Sequence, residues 1–118
     1  MNNTLKIVVM LGGPSAEREV SLRTGAAVAK ALRSVGHDVT EVDPKNGTFS
    51  LPPRVDVVFL ALHGTYGEDG TVQTQLDQLG VPYTGCGPEA SRIAFDKVLT
   101  KKRCVEAGVP TARFEFFA

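Results

Sequence analysis

No block of like charges occurs in this chain, and its 13 lysines and arginines are cancelled by 13 aspartates and glutamates. That balance excludes the electrostatic footprint with which proteins grip nucleic acid or an anionic membrane. No apolar run approaches the roughly 20 residues a membrane-spanning helix needs. The start, Met1-Asn2-Asn3-Thr4, lacks the charged and apolar regions of a secretory leader, so the expected setting is the cytoplasm. Cys86 and Cys104 have neither a C-x-x-C spacing nor a nearby histidine, which excludes a disulfide scaffold and a zinc site. Both cysteines read as small core or near-core residues, and no metal ligand set is expected.

What is present is an alternation of short apolar runs with helical periodicity. Residues 6–11 form a continuous apolar strand stopped by Gly12-Gly13, as expected for a central parallel strand covered on both faces. Val20, Thr24, Ala27, Val28, Ala31, Leu32 and Val35 recur at helical spacing over residues 20–35, and Gly36 is placed to close that helix. Gly25, Ala26 and Ala27 should keep it thin against the sheet. Strands are expected at residues 39–43, 55–62, 81–84 and 112–117. A helix marked by Val72, Gln75, Leu76 and Leu79 ends at Gly80. Two more follow, one from Pro88 to Phe95 and one capped by Asp96 that runs to Ala107. The implied fold is a single domain, residues 1–118, of three α/β/α layers. Its mostly parallel, Rossmann-like sheet has four or five strands in the order 2-1-3-4. The last strand reaches the C-terminus without a completed unit after it, so the chain looks like part of something longer.

Strand order then selects the chemistry. Ligands of open α/β sheets bind outside the carboxyl ends of the strands, and adjacent parallel strands one and three would bring Glu17 and His63 to that same edge. Glu17 and Glu19 flank Arg18 in a turn without the G-x-G-x-x-G spacing, which suits a cation better than a phosphate. One of these carboxylates need only favour the helix dipole, worth about 0.3–1 kcal/mol. His63 stands at a strand end, where an imidazole can donate to a carboxylate or move a proton. It opens a loop rich in glycine, His63-Gly64-Thr65-Tyr66-Gly67-Glu68-Asp69-Gly70. Asp69 suits a cap for the following helix, Glu68 a partner for Arg18 or Lys97, and Ser15 and Ser21 are caps first and ligands second. Lys97, at a helix start where the dipole disfavours it, is a candidate for a nucleotide phosphate. Lys101, Lys102 and Arg103 read as a solvated surface.

Three separated segments, in order, carry a resemblance: Gly12 to Leu22, His63 to Gln73, and Pro82 to Gly87 with Asp96-Lys97. They resemble the N-terminal domain of bacterial D-alanine–D-alanine ligases, members of the ATP-grasp superfamily, from about Leu5 to Phe117. The resemblance implies a pre-ATP-grasp domain leading into two further domains. It also implies a reaction in which the γ-phosphoryl of ATP activates one D-alanine carboxylate for attack by the amine of a second D-alanine, for peptidoglycan synthesis. It puts Glu17 on the ammonium of the first D-alanine, His63 beside its carboxylate, Ser21 at the same substrate and Lys97 at the nucleotide phosphates. ATP and magnesium would be held mostly outside this chain, which alone would be inactive, and a homodimer would form through this domain. Thr24 and Thr74 depart mildly from the family pattern: serine is common at the first position, and glycine, alanine or serine at the second. Arg18 agrees with the dipeptide ligases better than with D-alanine–D-lactate ligases.

Two other readings use the same residues. In a nucleotide- or dinucleotide-binding module, Asp43 would accept ribose hydroxyls; the missing third glycine and the Glu17 carboxylate count against it. In a non-catalytic association domain, exposed apolar helix faces would join two copies.

Overall fold

The computed structural model describes residues 3–117; Met1, Asn2 and Ala118, which belong to the expected domain 1–118, lie outside the described residues. The element order is β1 (Lys6–Met10), α1 (Arg18–Ser34), β2 (Asp38–Val42), β3 (Val57–Leu60), α2 (Thr71–Leu79), α3 (Pro88–Phe95) and α4 (Lys97–Glu106). β1 lies between β2 and β3 and pairs with both in parallel.

The alternation along β1 builds both halves of the core, because successive side chains of a strand point to opposite faces. Ile7 and Val9 pack with Ala29, Val28 and Leu32 of α1. Val8 and Met10 pack with Val72 and Leu76 of α2 and with Val58, Leu62 and Tyr66. Helices on opposite faces of one sheet make the expected three layers.

The sheet is smaller than the expected four or five strands. Residues 81–84 pair with β3 as a single parallel bridge between Val58 and Tyr83. Val58 N donates to Pro82 O at 2.9 Å, Thr84 N to Val58 O at 3.0 Å, and Leu60 N to the Thr84 hydroxyl at 3.0 Å. The segment therefore occupies the fourth place in the order 2-1-3-4 without forming a strand. Residues 112–117 form no strand either. They have strand composition but lie exposed away from the sheet, and β-propensity is expressed only against a partner strand. Lys101 holds this segment instead: its ammonium donates to Thr111 Oγ1 at 3.1 Å and Ala112 O at 3.0 Å, and lies 5.4 Å from the Phe114 ring centre.

α1 also corrects the expected pattern. Its sheet-facing stripe is Ser21, Gly25 and Ala29, flanked by Val28 and Leu32. Val20, Ala26, Ala27, Ala31 and Val35 are exposed. At Gly25 a Cβ would lie 2.3 Å from Leu11 Cβ, so this glycine sets the distance between helix and sheet. The C-terminal end is as expected. Gly36, at φ +95°, closes α1 with Gly36 N donating to Arg33 O and His37 N to Leu32 O, the paired bonds of a Schellman motif.

α4 lies farthest from the sheet: it packs on α3, and α3 packs on α2. No side chain of α4 is buried. Asp96 caps it as expected, accepting from Val98 N and Leu99 N at 3.0 Å each. Cys104 is half-buried on α4, whereas Cys86 is exposed in the turn after residues 81–84; the expectation that both cysteines are near-core fails for Cys86.

Candidate active site at the carboxyl edge of the sheet

β1 and β3 end side by side, and a buried hydroxyl joins their exits. Ser21, fully buried on the first turns of α1, donates to Ala61 O at 2.6 Å and accepts from Gly12 N at 2.9 Å. Both loops of the site are thereby tied to one helix. In this conformation Ser21 fixes the geometry of the strand ends and has no solvent-exposed surface.

The first loop turns on Ser15, whose hydroxyl accepts from Glu17 N at 2.9 Å while its carbonyl accepts from Arg18 N at 3.1 Å. Glu17 is the N-cap of α1, yet its side chain makes no capping bond. Its carboxylate reaches across to the second loop instead. A Cβ on Gly64 would lie 2.5 Å from Glu17 Oε2 and 2.5 Å from Ser15 Oγ. Gly64 also has φ +77°, so space and backbone both require glycine where the two loops meet. Glu17 is exposed, and its carboxylate has no hydrogen-bond or ion-pair partner among the described residues. Glu19 lies in the first turn of α1, the position that complements the helix dipole.

Arg18 and Asp43 are paired, which the sequence reading missed. The guanidinium engages both oxygens of Asp43, the first at 2.9 Å, and donates to Gly13 O at 3.0 Å; Gly13 N donates to Asp43 Oδ1 at 3.0 Å. The hydrogen bond from Arg18 holds the Asp43 carboxyl below the usual aspartate range, and Asp43 in turn raises Arg18. Arg18 therefore does not pair with Glu68, and the carboxylate that a ribose-binding reading needs is committed to Arg18. Pairing across 25 residues leaves no periodic trace in the sequence. An acidic residue at the end of the neighbouring parallel strand was the available signal.

The second loop is self-supporting. Glu68 accepts from Gly64 N at 2.7 Å, so it pairs with neither Arg18 nor Lys97. Asp69 accepts from Thr71 N and Tyr66 N at 3.0 Å each. Burial raises the Asp69 pKa, but the bonds from Thr71 and the Tyr66 amide outweigh it and leave the carboxyl below its ordinary value. Tyr66 adopts φ +74°, rare for a bulky side chain. Its ring is buried in the α2-side core, its hydroxyl donates to Gln75, and burial pushes its pKa up to about 12. Gln73, also buried, donates to Gly67 O at 2.9 Å. Tyr66 and Gln73 thus hold the loop from inside.

His63 is half-buried at the exit of β3, and its Nε2 lies 3.0 Å from the hydroxyl of Thr24 on α1. The structure brings Glu17, Ser21, Thr24 and His63 to one edge, where a free carboxylate and an imidazole flank Gly64. It does not bring Lys97 there. Lys97 is exposed at the first position of α4, without an ion-pair partner among the described residues. A separate cleft between α2 and α3, lined by Thr71, Thr74, Gln78 and Arg92, contains neither Glu17 nor His63.

The family model described as "D-ala D-ala ligase N-terminus" matches residues 39–86. A D-alanine–D-alanine ligase of Herminiimonas arsenicoxydans is 53% identical over 92% of this chain and 33% of its own length. That of Aquifex aeolicus is 48% identical over 96% of this chain and 40% of its own length. The chain thus spans about a third to two-fifths of the curated relatives it matches. Among solved structures, the D-alanine–D-alanine ligase of Aeromonas hydrophila superposes with a TM-score of 0.87 at 31% identity, covering 96% of this chain and 50% of that one. The chain therefore belongs to the D-alanine–D-alanine ligase family, as an N-terminal domain of that family.

Proposed function

We propose that this chain supplies the first-substrate half of an ATP-dependent D-alanine–D-alanine ligase, acting in the cytoplasm on peptidoglycan precursors. The observation that carries this reading is the unpaired Glu17 carboxylate lying over Gly64, the residue next to His63. An amino acid zwitterion presents one cation and one anion a few bonds apart. In this reading Glu17 takes the ammonium and His63 lies beside the carboxylate, while Ser21 sets their separation by fixing the ends of β1 and β3. Glu17 and His63 are the catalytic pair, in that both touch substrate and orient it.

Lys97 is the candidate contact for the nucleotide phosphates; an exposed cation without a partner suits that role, and one cation supplies one contact of such a site. ATP with magnesium would supply the activating phosphoryl group, with the remaining ligands coming from outside this chain. A fixed cation at developing phosphoryl charge stabilises the transition state. Two copies would associate through this domain, for which the exposed Val20, Ala27 and Ala31 of α1, with Val35 just after it, offer an apolar stripe. The described residues include no helix long and apolar enough to cross a membrane.

The test is a titration of the chain with D-alanine followed by amide NMR. Shifts at Ala16, Glu17 and Gly64 that disappear in Glu17→Gln support the reading; their absence overturns it. In a full-length ligase carrying this domain, Glu17→Gln is expected to raise the KM for the first D-alanine. The isolated chain is expected to hydrolyse no ATP in the presence of D-alanine.

A further inference from the structure

In the sequence Thr24 is one position of a helical stripe and a mild departure from the family pattern, yet it is the residue that contacts the His63 ring. A threonine hydroxyl carries one proton. That proton has a partner within α1, because Thr24 Oγ1 donates to Val20 O at 3.0 Å. Its contact with His63 Nε2 at 3.0 Å takes either direction according to the tautomer, and both contacts are made together when this oxygen accepts and the imidazole proton sits on Nε2. His63 Nδ1 has no partner among the described residues.

We propose that Thr24 is a positioning residue that fixes the His63 proton on Nε2 and leaves Nδ1 as the nitrogen available to the substrate. The inference deepens the D-alanine reading and rests on it for the substrate's identity. The chemical advantage lies in the direction of the bond. Had Thr24 donated to the ring, protonating the imidazole would force that bond to reverse. With Thr24 accepting, Nδ1 can take a proton and donate to a carboxylate while the Nε2–H bond stays in place, so the ring serves in either state without turning. The carboxylates at the next residue, Gly64, are Glu17, whose Oε2 reaches it, and Glu68, bonded to Gly64 N; the threonine is the ring's neutral partner.

The test uses the chain with 15N-labelled histidine and long-range proton–nitrogen NMR at about pH 8, above the ordinary histidine range. Expected are a protonated Nε2 and a bare Nδ1 at His63. Thr24→Val keeps the shape and removes the acceptor; it is expected to release the ring into averaged nitrogen signals and to weaken D-alanine binding about fivefold, the worth of one ordinary hydrogen bond. Thr24→Ser restores both. His37, whose Nδ1 accepts from Leu5 N at 3.1 Å, is an internal control that should not respond. A proton on Nδ1 of His63 in the unaltered chain, or ring signals unchanged in Thr24→Val, would overturn the proposal. Absence of D-alanine binding by the unaltered chain would overturn the substrate reading alone, because the ring signals decide the role of Thr24 without any ligand.

Discussion

The carboxyl edge of the sheet and the α3–α4 end of the chain are both rich in polar side chains, but they hold them differently. At the sheet edge, hydrogen bonds run between segments far apart in sequence: Ser21 to Ala61, Thr24 to His63, Arg18 to Asp43. At the α3–α4 end they are mostly local, as with Arg92 and Glu89 three residues apart, or Asp96 capping the turn it begins. Long-range bonds through buried or half-buried groups, as at Ser21 and Thr24, fix a geometry, whereas exposed local pairs contribute little. The difference marks which region is preorganised for a ligand.

Substitutions in the two regions should separate accordingly, and the largest effect is expected in the core beneath the sheet edge. Leu76→Ala, at a fully buried site, should lower unfolding free energy by about 2–5 kcal/mol in urea titration. Next is Ser21→Ala, which leaves Gly12 N and Ala61 O unpaired and should cost about 1–3 kcal/mol. Val105→Ala on exposed α4 should stay within about 0.5 kcal/mol. A loss at Val105 comparable to that at Ser21 would break the contrast.

Acid sharpens the same comparison. The folded-state pKa of Asp43 lies below its unfolded value, so the carboxylate stabilises the fold above that unfolded value, near 4. This contribution is lost as pH falls through the lower folded value. Asp43→Asn should flatten the fall in stability below about pH 4. Glu89 shifts in the same direction beside Arg92, but that pair is more exposed than Arg18 and Asp43, and Glu89→Gln should leave the acid limb nearly unchanged.

The sequence showed the layers because apolar runs alternate with helical periodicity, and the strand order follows from right-handed crossovers between parallel strands. It showed Glu17 and His63 because strand ends are marked by glycine. It misplaced the buried face of α1, where Ser21, Gly25 and Ala29 pack closely but carry little hydrophobic signal, while exposed Val20, Ala31 and Val35 carry more. Residues 112–117 misled through composition, since a strand needs a free sheet edge as well as β-branched or aromatic residues. The pairing of Thr24 with His63 left no trace in the sequence, and that of Arg18 with Asp43 only an acidic residue at a neighbouring strand end, because each depends on how α1 is rotated against the sheet.

The most direct measurement is amide NMR of the chain during D-alanine titration, comparing Gly64 with the residues of α4. The account expects shifts centred on Ala16, Glu17 and Gly64, abolished by Glu17→Gln, with Lys97 to Glu106 unmoved. Shifts centred on α4, or a Gly64 response that survives Glu17→Gln, would contradict it.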